Sequence, residues 1–315
     1  IRSCLVGSEM CIRDSSYPKN KINVLLLEKV DKVAFDLFKE EGYNVESLDG
    51  SLDEKDLIKK IKDVSILGIR SKTIISDKVI KSANKLLAIG AFCIGTNQIK
   101  FESCNDSGIV IFNAPYSNTR SVVEIVIAQI INLMRKIIIK SNKMHSGVWR
   151  KDSLDSFEIR NKVIGIVGYG NIGSQLSVIC EALGMKVLYY DILDKLSIGN
   201  AKKCKSLNEL LKNSDIVSLH VDGKKSNTNL ISDKEFSIMK EKSILVNYSR
   251  GNVVDIDSLI KNIKSKKLMG AALDVFPEEP SNNKEKFKSK VKGIEEIILS
   301  PHIGGSTKEA QKNIG

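Results

Sequence analysis

The apolar run VIGIV (163–167) leads directly into GYGNIG and then into the helix-like stretch SQLSVICEALG. Gly168, Gly170 and Gly173 therefore spell G-x-G-x-x-G between a strand and a helix, and each position has a mechanical reason to lack a side chain. Gly168 allows the tight turn, Gly170 lets a pyrophosphate approach the backbone, and Gly173 lets the helix pack on the strand. The helix N-terminus presents unpaired N–H groups and a partial positive charge to phosphate. The next strand, KVLYYD, ends in Asp191, 18 residues after Gly173. A carboxylate there holds both ribose hydroxyls and repels a 2′-phosphate. Ile192 and Leu193 follow, so no Arg is at hand for NADP, and the expected cofactor is NAD.

The surrounding pattern fits a parallel sheet. From Lys21, the strand-like INVLLLE, YNVESL, VSILGI, LLAIGAF and IVIFNA alternate with the helix-like VAFDLFKEEG, EKDLIKKIKD, DKVIKSAN and FESCNDSG, as far as about Pro115. A long helical stretch, 117–147, is apolar on more than one face and is expected to pack between domains or subunits. After the polar WRKDSLDSFE, a second alternation runs from KVIGIVG to EIILS. The expected fold class is α/β in two domains, with the active site in the cleft. One is a Rossmann-type doubly wound parallel sheet, the other a smaller flavodoxin-like α/β domain. The expected boundaries are 17–117 for the substrate domain, completed by 305–315 and a segment beyond, and 118–304 for the NAD domain with the long helix. IRSCLVGSEMCIRDSS, residues 1–16, lacks periodicity and is no credible signal peptide, so it reads as a leader foreign to the fold. TKEAQKNIG stops within a helical pattern, which suggests a fragment.

Composition narrows the class. At 42% hydrophobic and 28% charged residues the chain is globular rather than disordered. No stretch reaches the roughly 20 apolar residues of a membrane span. The formal charge of +11 comes from scattered lysines without aromatic interleaving, which argues against nucleic acid and favours an anionic substrate. The six cysteines form no CxxC and no histidine stands at metal-ligand spacing, so reduced thiols in a cytoplasmic protein are expected, with no metal.

Three pieces end strands of the second alternation, where an open α/β sheet places its ligands. ILVNYSRG offers Arg250, ALDVFPEEP offers Asp274 and Glu279, and ILSPHIGG offers His302. A plain structural account exists for the last: Pro301 ends the strand, the glycines turn, and Ser306 or Thr307 caps a helix over KEAQKN. The set as a whole also suits hydride transfer at a 2-hydroxy acid. A neutral imidazole takes the hydroxyl proton, a carboxylate on its other nitrogen fixes the tautomer, and a guanidinium holds the substrate carboxylate. His145 reads as a surface or interface residue, and His220 as packing beside the cofactor pocket.

These residues carry a resemblance to the D-isomer-specific 2-hydroxy-acid dehydrogenase family. The similar segments include GIRSKT, AFCIGTNQ, FNAPYSNTRSV, HSGVW, GIVGYGNIGSQL, SLHV, SRGNVVDI, GAALDVFPEEP and SPHIGGSTKEAQ, from residue 21 nearly to the end. The resemblance implies that Arg250 binds substrate, that Glu279 orients His302, and that His302 exchanges the proton. It implies that Asn171, Ile172, Asp191, Tyr248, Ser249, Arg250, Asp274, His302, Ile303, Gly304 and Gly305 line NAD. GIRSKT with NAPYSNTRSV points to a phosphorylated 2-hydroxy or 2-keto acid, met by Arg70, Ser71, Lys72 and Asn118. Trp149 and Lys151 resemble positions that reach a neighbouring subunit's site, implying a homo-oligomer, a dimer or tetramer.

The chain departs from the family in four places. Tyr248 stands where a small residue is usual, and a phenol there is expected to narrow the pocket or change substrate preference. MKEKS lacks a Pro-Gly turn, SLHVDGKK lacks a proline after the valine, and the last helix is cut short together with any serine-sensing domain. Two rival readings are a sister enzyme for an unphosphorylated acid, and a non-catalytic NAD sensor that binds proteins.

Overall fold

The computed structural model describes residues 17–280 and 284–315; the expected foreign leader, 1–16, lies outside the described residues. The chain divides into two compact units, one ending at Asn118 and taking in Lys308–Gly315, the other spanning Thr119–Thr307.

The first unit is a five-stranded sheet of β1 (Asn23–Leu26), β2 (Asn44–Ser47), β3 (Ile66–Ile69), β4 (Ala88–Ala91) and β5 (Val110–Asn113). Every pairing is parallel, in the order β2-β1-β3-β4-β5, which is the flavodoxin-like arrangement. Strands covered on both faces need unbroken apolar runs rather than alternation, and Val24, Leu25 and Leu26 are all buried accordingly. The Lys32–Glu40, Glu54–Lys60 and Asp77–Ser82 helices start at Asp31, Asp53 and Ser76, whose side chains accept from first-turn amides.

The second unit holds seven parallel strands: β6 (Val163–Val167), β7 (Lys186–Tyr190), β8 (Lys202–Lys203), β9 (Ile216–Leu219), β10 (Ser243–Asn247), β11 (Leu268–Leu273) and β12 (Ile297–Leu299). Their order, β12-β11-β10-β9-β6-β7-β8, reverses at β6. The chain therefore leaves the adjacent carboxyl ends of β6 and β9 in opposite directions along the sheet, which is where a doubly wound sheet opens its ligand crevice. The Thr119–Arg135 helix lies on this sheet. Its Val122, Val123, Val126, Ile130 and Leu133 share one core with Ile164, Ile166, Leu176, Ile244 and Val246. Each such buried aliphatic side chain contributes roughly 1.5–3 kcal/mol.

The single long helix expected over 117–147 is two helices, Thr119–Arg135 and Ile137–His145, parted at Lys136. Lys136 adopts a left-handed conformation (φ 52°) although neither Gly nor Pro is present. Two distant contacts hold the corner: Lys136 Nζ pairs with Asp155 at 3.0 Å, and Phe157 N donates to the exposed end carbonyl of Met134 at 2.8 Å. Among the described residues no helix is long and apolar enough to cross a membrane. Cys104, Cys180 and Cys204 are buried thiols, and burial pushes Cys180 up to about 12, so it stays an unreactive hydrophobe.

Candidate active site

The β6 end is shaped by what its glycines exclude. A Cβ on Gly168 (φ 92°) would sit 2.4 Å from the His220 carbonyl oxygen, and one on Gly173 would sit 2.2 Å from the Gly168 carbonyl oxygen. Both positions are closed to side chains by backbone. At Gly170 a Cβ would meet nothing within 4 Å, so the space before the Asn171–Ala182 helix is open. That opening, facing the first-turn amides with Asn171 and Ile172, fits a pyrophosphate. Asp191 ties β7 to the turn: Oδ2 accepts from Tyr169 N at 2.7 Å and Oδ1 from Leu193 N at 2.8 Å. Each oxygen keeps a further lone pair, which fits a ribose diol. His220, at the β9 end, bonds Ser218 through Nε2 at 2.8 Å, and burial lowers its pKa to about 4, leaving a neutral packing residue.

Along the β10, β11 and β12 ends the three reactive side chains of the sequence reading meet. His302 Nδ1 and Glu279 Oε2 lie 2.7 Å apart. Glu279 Oε1 accepts from Phe276 N at 3.1 Å, which fixes the carboxylate's orientation. The bond to Glu279 raises the His302 pKa, with burial acting against it and the Asp274 charge adding to it. Burial opposes ionisation of Glu279, but the bond and charge of His302, the Phe276 amide and the Arg250 charge together hold it below its ordinary value. The Arg250 charge acts on both partners, favouring the Glu279 carboxylate and disfavouring imidazolium. With Nδ1 engaged, Nε2 is the nitrogen left for a substrate.

Close backbone contact sets these spacings. A Cβ on Gly251, the residue after Arg250, would fall 2.0 Å from both the carbonyl carbon and oxygen of Phe276, three residues before Glu279. Gly223 approaches the Arg250 side chain in the same manner, its would-be Cβ 3.1 Å from Cγ.

Asp274, 2% exposed, accepts from Ser300 Oγ at 2.5 Å, Ile303 N at 2.9 Å and Gly304 N at 2.7 Å, and so ties down the turn that carries His302 (φ 53°) to Gly305. Tyr248 is only 6% exposed and belongs to the core cluster of Ile130 and Ala272, against which Ile298 packs.

Sequence reading missed the residues that hold the others. Asn247, 1% exposed, accepts from Ser249 N and Ser249 Oγ and donates to the Arg250 carbonyl at 3.0 Å. An Asn at a strand end two residues before a turn amide was the available signal. In the first unit Glu28, 8% exposed, accepts from Lys72 N at 3.0 Å and Thr73 N at 2.8 Å, while Gln98 donates to the Arg70 carbonyl at 2.7 Å. The backbone of 70–73 is thus pinned, and the side chains of Ser71 and Lys72 stay exposed. Asn118 closes this unit with its side-chain oxygen buried and unpartnered. Lys151 lies exposed in the second unit and makes no hydrogen bond or ion pair with the other candidate residues.

An open glycine turn after β6, a ribose-ready aspartate after β7 and a carboxylate-bound imidazole after β12, all at carboxyl ends of one parallel sheet, define a nucleotide-dependent oxidoreductase. Comparison with known proteins agrees. Residues 127–304 match the family described as D-isomer specific 2-hydroxyacid dehydrogenase, NAD binding domain. The D-3-phosphoglycerate dehydrogenase of Dictyostelium discoideum is 49% identical over 301 residues, which is 96% of this chain and 74% of that protein. The protein of the same name from Escherichia coli K12 is 48% identical, over 95% of this chain and 73% of its own. Among solved structures, D-lactate dehydrogenase from Aquifex aeolicus, complexed with NAD and lactic acid, superposes with a TM-score of 0.81 at 25% identity, covering 93% and 92% of the two chains. D-lactate dehydrogenase with NAD+ from Lactobacillus jensenii gives 0.79 at 28% identity, covering 93% of each. The chain belongs to the D-isomer specific 2-hydroxyacid dehydrogenase family. It is an oxidoreductase of a 2-hydroxy acid, and NAD is its cofactor.

Proposed function

We propose that the chain interconverts 3-phosphoglycerate and 3-phosphohydroxypyruvate with NAD, the first step of phosphorylated serine synthesis. One observation carries the chemistry: His302 bonded through Nδ1 to Glu279, with Nε2 left for the substrate. The substrate assignment is supported by identity of 48–49% over nearly the whole chain to relatives that bear the phosphoglycerate name, against 25–28% to the D-lactate enzymes.

NAD supplies the hydride acceptor at the substrate's C2. Gly168, Gly170 and Gly173, with Asn171 and Ile172, would hold its pyrophosphate, and Asp191 would hold the ribose. The Tyr248–Arg250, Asp274 and His302–Gly305 turns would line its other end. Arg250 grips the substrate carboxylate and polarises the C2 oxygen. As the C2–H bond breaks and C2=O forms, the hydroxyl proton moves to His302 Nε2, and the Glu279 carboxylate stabilises the imidazolium. In the reverse direction the imidazolium returns that proton. Arg70, Ser71, Lys72 and Asn118 receive the phosphorylated end. The same reading makes the protein a cytoplasmic homo-oligomer, a dimer or tetramer, supported by the exposed apolar stretch of Met144, Val148 and Trp149 beside Lys151.

The deciding assay follows NADH with 3-phosphohydroxypyruvate and with hydroxypyruvate. The phosphorylated acid is expected to be preferred, and Arg70→Ala to lower its kcat/KM about 10- to 100-fold with little effect on hydroxypyruvate. Equal turnover of the two acids, untouched by Arg70→Ala, would overturn the substrate assignment. NADH bound but never consumed with any 2-keto acid would overturn the enzymatic reading.

Glu279→Gln gives a pH signature. The carboxylate raises the His302 pKa, so a neutral amide lets it fall. Oxidation needs the unprotonated ring, and its acid limb is expected to move to lower pH. Reduction needs the protonated ring, so its alkaline loss also sets in at lower pH. Limbs moving the opposite way would contradict the assigned roles.

A further inference from the structure

Four polar side chains stand in line behind the His302 turn. Asn132 Nδ2 donates to Gln129 Oε1 at 3.1 Å, both on the Thr119–Arg135 helix. Gln129 lies near enough to the Tyr248 phenol to act against the rise that burial imposes on it. Tyr248 Oη lies 3.0 Å from Ser300 Oγ, and Ser300 Oγ donates to Asp274 Oδ1 at 2.5 Å. A serine hydroxyl has one proton. Since Ser300 commits it to the carboxylate, the phenol must donate to Ser300. The hydroxyl protons of Tyr248 and Ser300 therefore both point toward Asp274.

That carboxylate also receives Ile303 N and Gly304 N, the two amides that follow His302. The ring adds a steric hold, for a Cβ on Gly304 would lie 3.0 Å from Tyr248 Cδ1 and 2.9 Å from Asp274 Oδ2. The charged groups acting on His302 are Glu279, Asp274 and Arg250. Tyr248 is not among them, so it acts through Asp274.

We propose that Tyr248 is a positioning residue for the dehydrogenase reaction: its phenol, through Ser300, locks Asp274 and with it the turn that presents His302. This inference rests on the reading of His302 as the proton-exchanging base. Burial pushes the phenol up to about 12, so it remains a donor at any working pH. A line of donors that reinforce one another is stronger than its members taken singly, and a turn held on both amides and on one glycine contact has little freedom to swing.

The test is Tyr248→Phe in the full chain, which keeps the ring and deletes only the hydroxyl. The expected result is a kcat lowered about three- to tenfold, together with an acid limb of the oxidation profile displaced to lower pH. The displacement follows because a loosened turn weakens the grip of Asp274 and Glu279 on the imidazolium. Ser300→Ala should reproduce both changes, and the double variant should add nothing further, since the two residues act in series. A slower enzyme with an unmoved limb makes Tyr248 a packing residue and overturns the proposal, as does additivity in the double variant. If the wild-type limb survives His302→Gln, the base reading falls and this proposal falls with it. A limb lost in His302→Gln yet unmoved in Tyr248→Phe overturns this proposal alone.

Discussion

Replacing His302 by Gln is expected to lower kcat about 10²- to 10⁴-fold while NADH still binds. The substitution keeps a polar side chain near Glu279 but removes the nitrogen that takes the C2 hydroxyl proton. The places proposed for the pyrophosphate and the ribose, the glycine turn and Asp191, lie on other strands, and the bonds of Asp191 to Tyr169 N and Leu193 N do not involve His302. Stopped-flow turnover with 3-phosphohydroxypyruvate, beside a fluorescence titration with NADH, separates the two effects. A loss of less than about tenfold would remove His302 from the chemistry.

Arg250→Gln is expected to lower kcat/KM about 10²- to 10³-fold, and Arg250→Lys to recover only part of the loss. The guanidinium offers a planar fork that matches a carboxylate at two points, whereas an ammonium is a point charge. Its stem is already confined, with Nη1 donating to the Ser249 carbonyl at 2.7 Å and Gly223 pressed against Cγ. A lysine cannot inherit that geometry. Steady-state kinetics at saturating NADH would read the difference, and a lysine variant as fast as wild type would reject the bidentate role. Removing the positive charge should also let the His302 pKa rise, because Arg250 disfavours imidazolium. The alkaline limb of reduction then moves upward, opposite in sign to the Glu279→Gln shift.

What could be read from the sequence was set by local physics. Strands buried on both faces must be apolar without interruption, so VIGIV and INVLLLE announced themselves, and the glycine turn followed from backbone contacts that no side chain survives. Arg250, Asp274, Glu279 and His302 were legible because parallel strands deliver their carboxyl ends to one rim. The corner at Lys136 was not legible. Its left-handed backbone is held by Asp155 and Phe157, about twenty residues on, and the sequence there carries no Gly or Pro to mark it.

The supporting residues were hidden for a similar reason. Asn247, Ser300 and Glu28 work by hydrogen-bonding backbone amides or buried groups, some of them far along the chain, and an Asn, Ser or Glu has the same look whether buried or solvated. The position of Tyr248 beside SRG was plain, but its burial was not, because an aromatic at a strand end looks the same in sequence whether it turns inward or outward.

Gly251 bears on how this enzyme could be re-engineered. With the peptide after Arg250 seated against the peptide at Phe276, the spacing of these two segments is set by main-chain contact, and any side chain at Gly251 would have to push them apart. Libraries intended for bulkier acids should therefore leave positions 250–251 and 276–279 untouched and diversify the Arg70–Lys72 loop, whose backbone is anchored from behind while its side chains are unencumbered. Tolerance to change, on this scaffold, is a matter of which loops are propped by side chains and which by peptide against peptide.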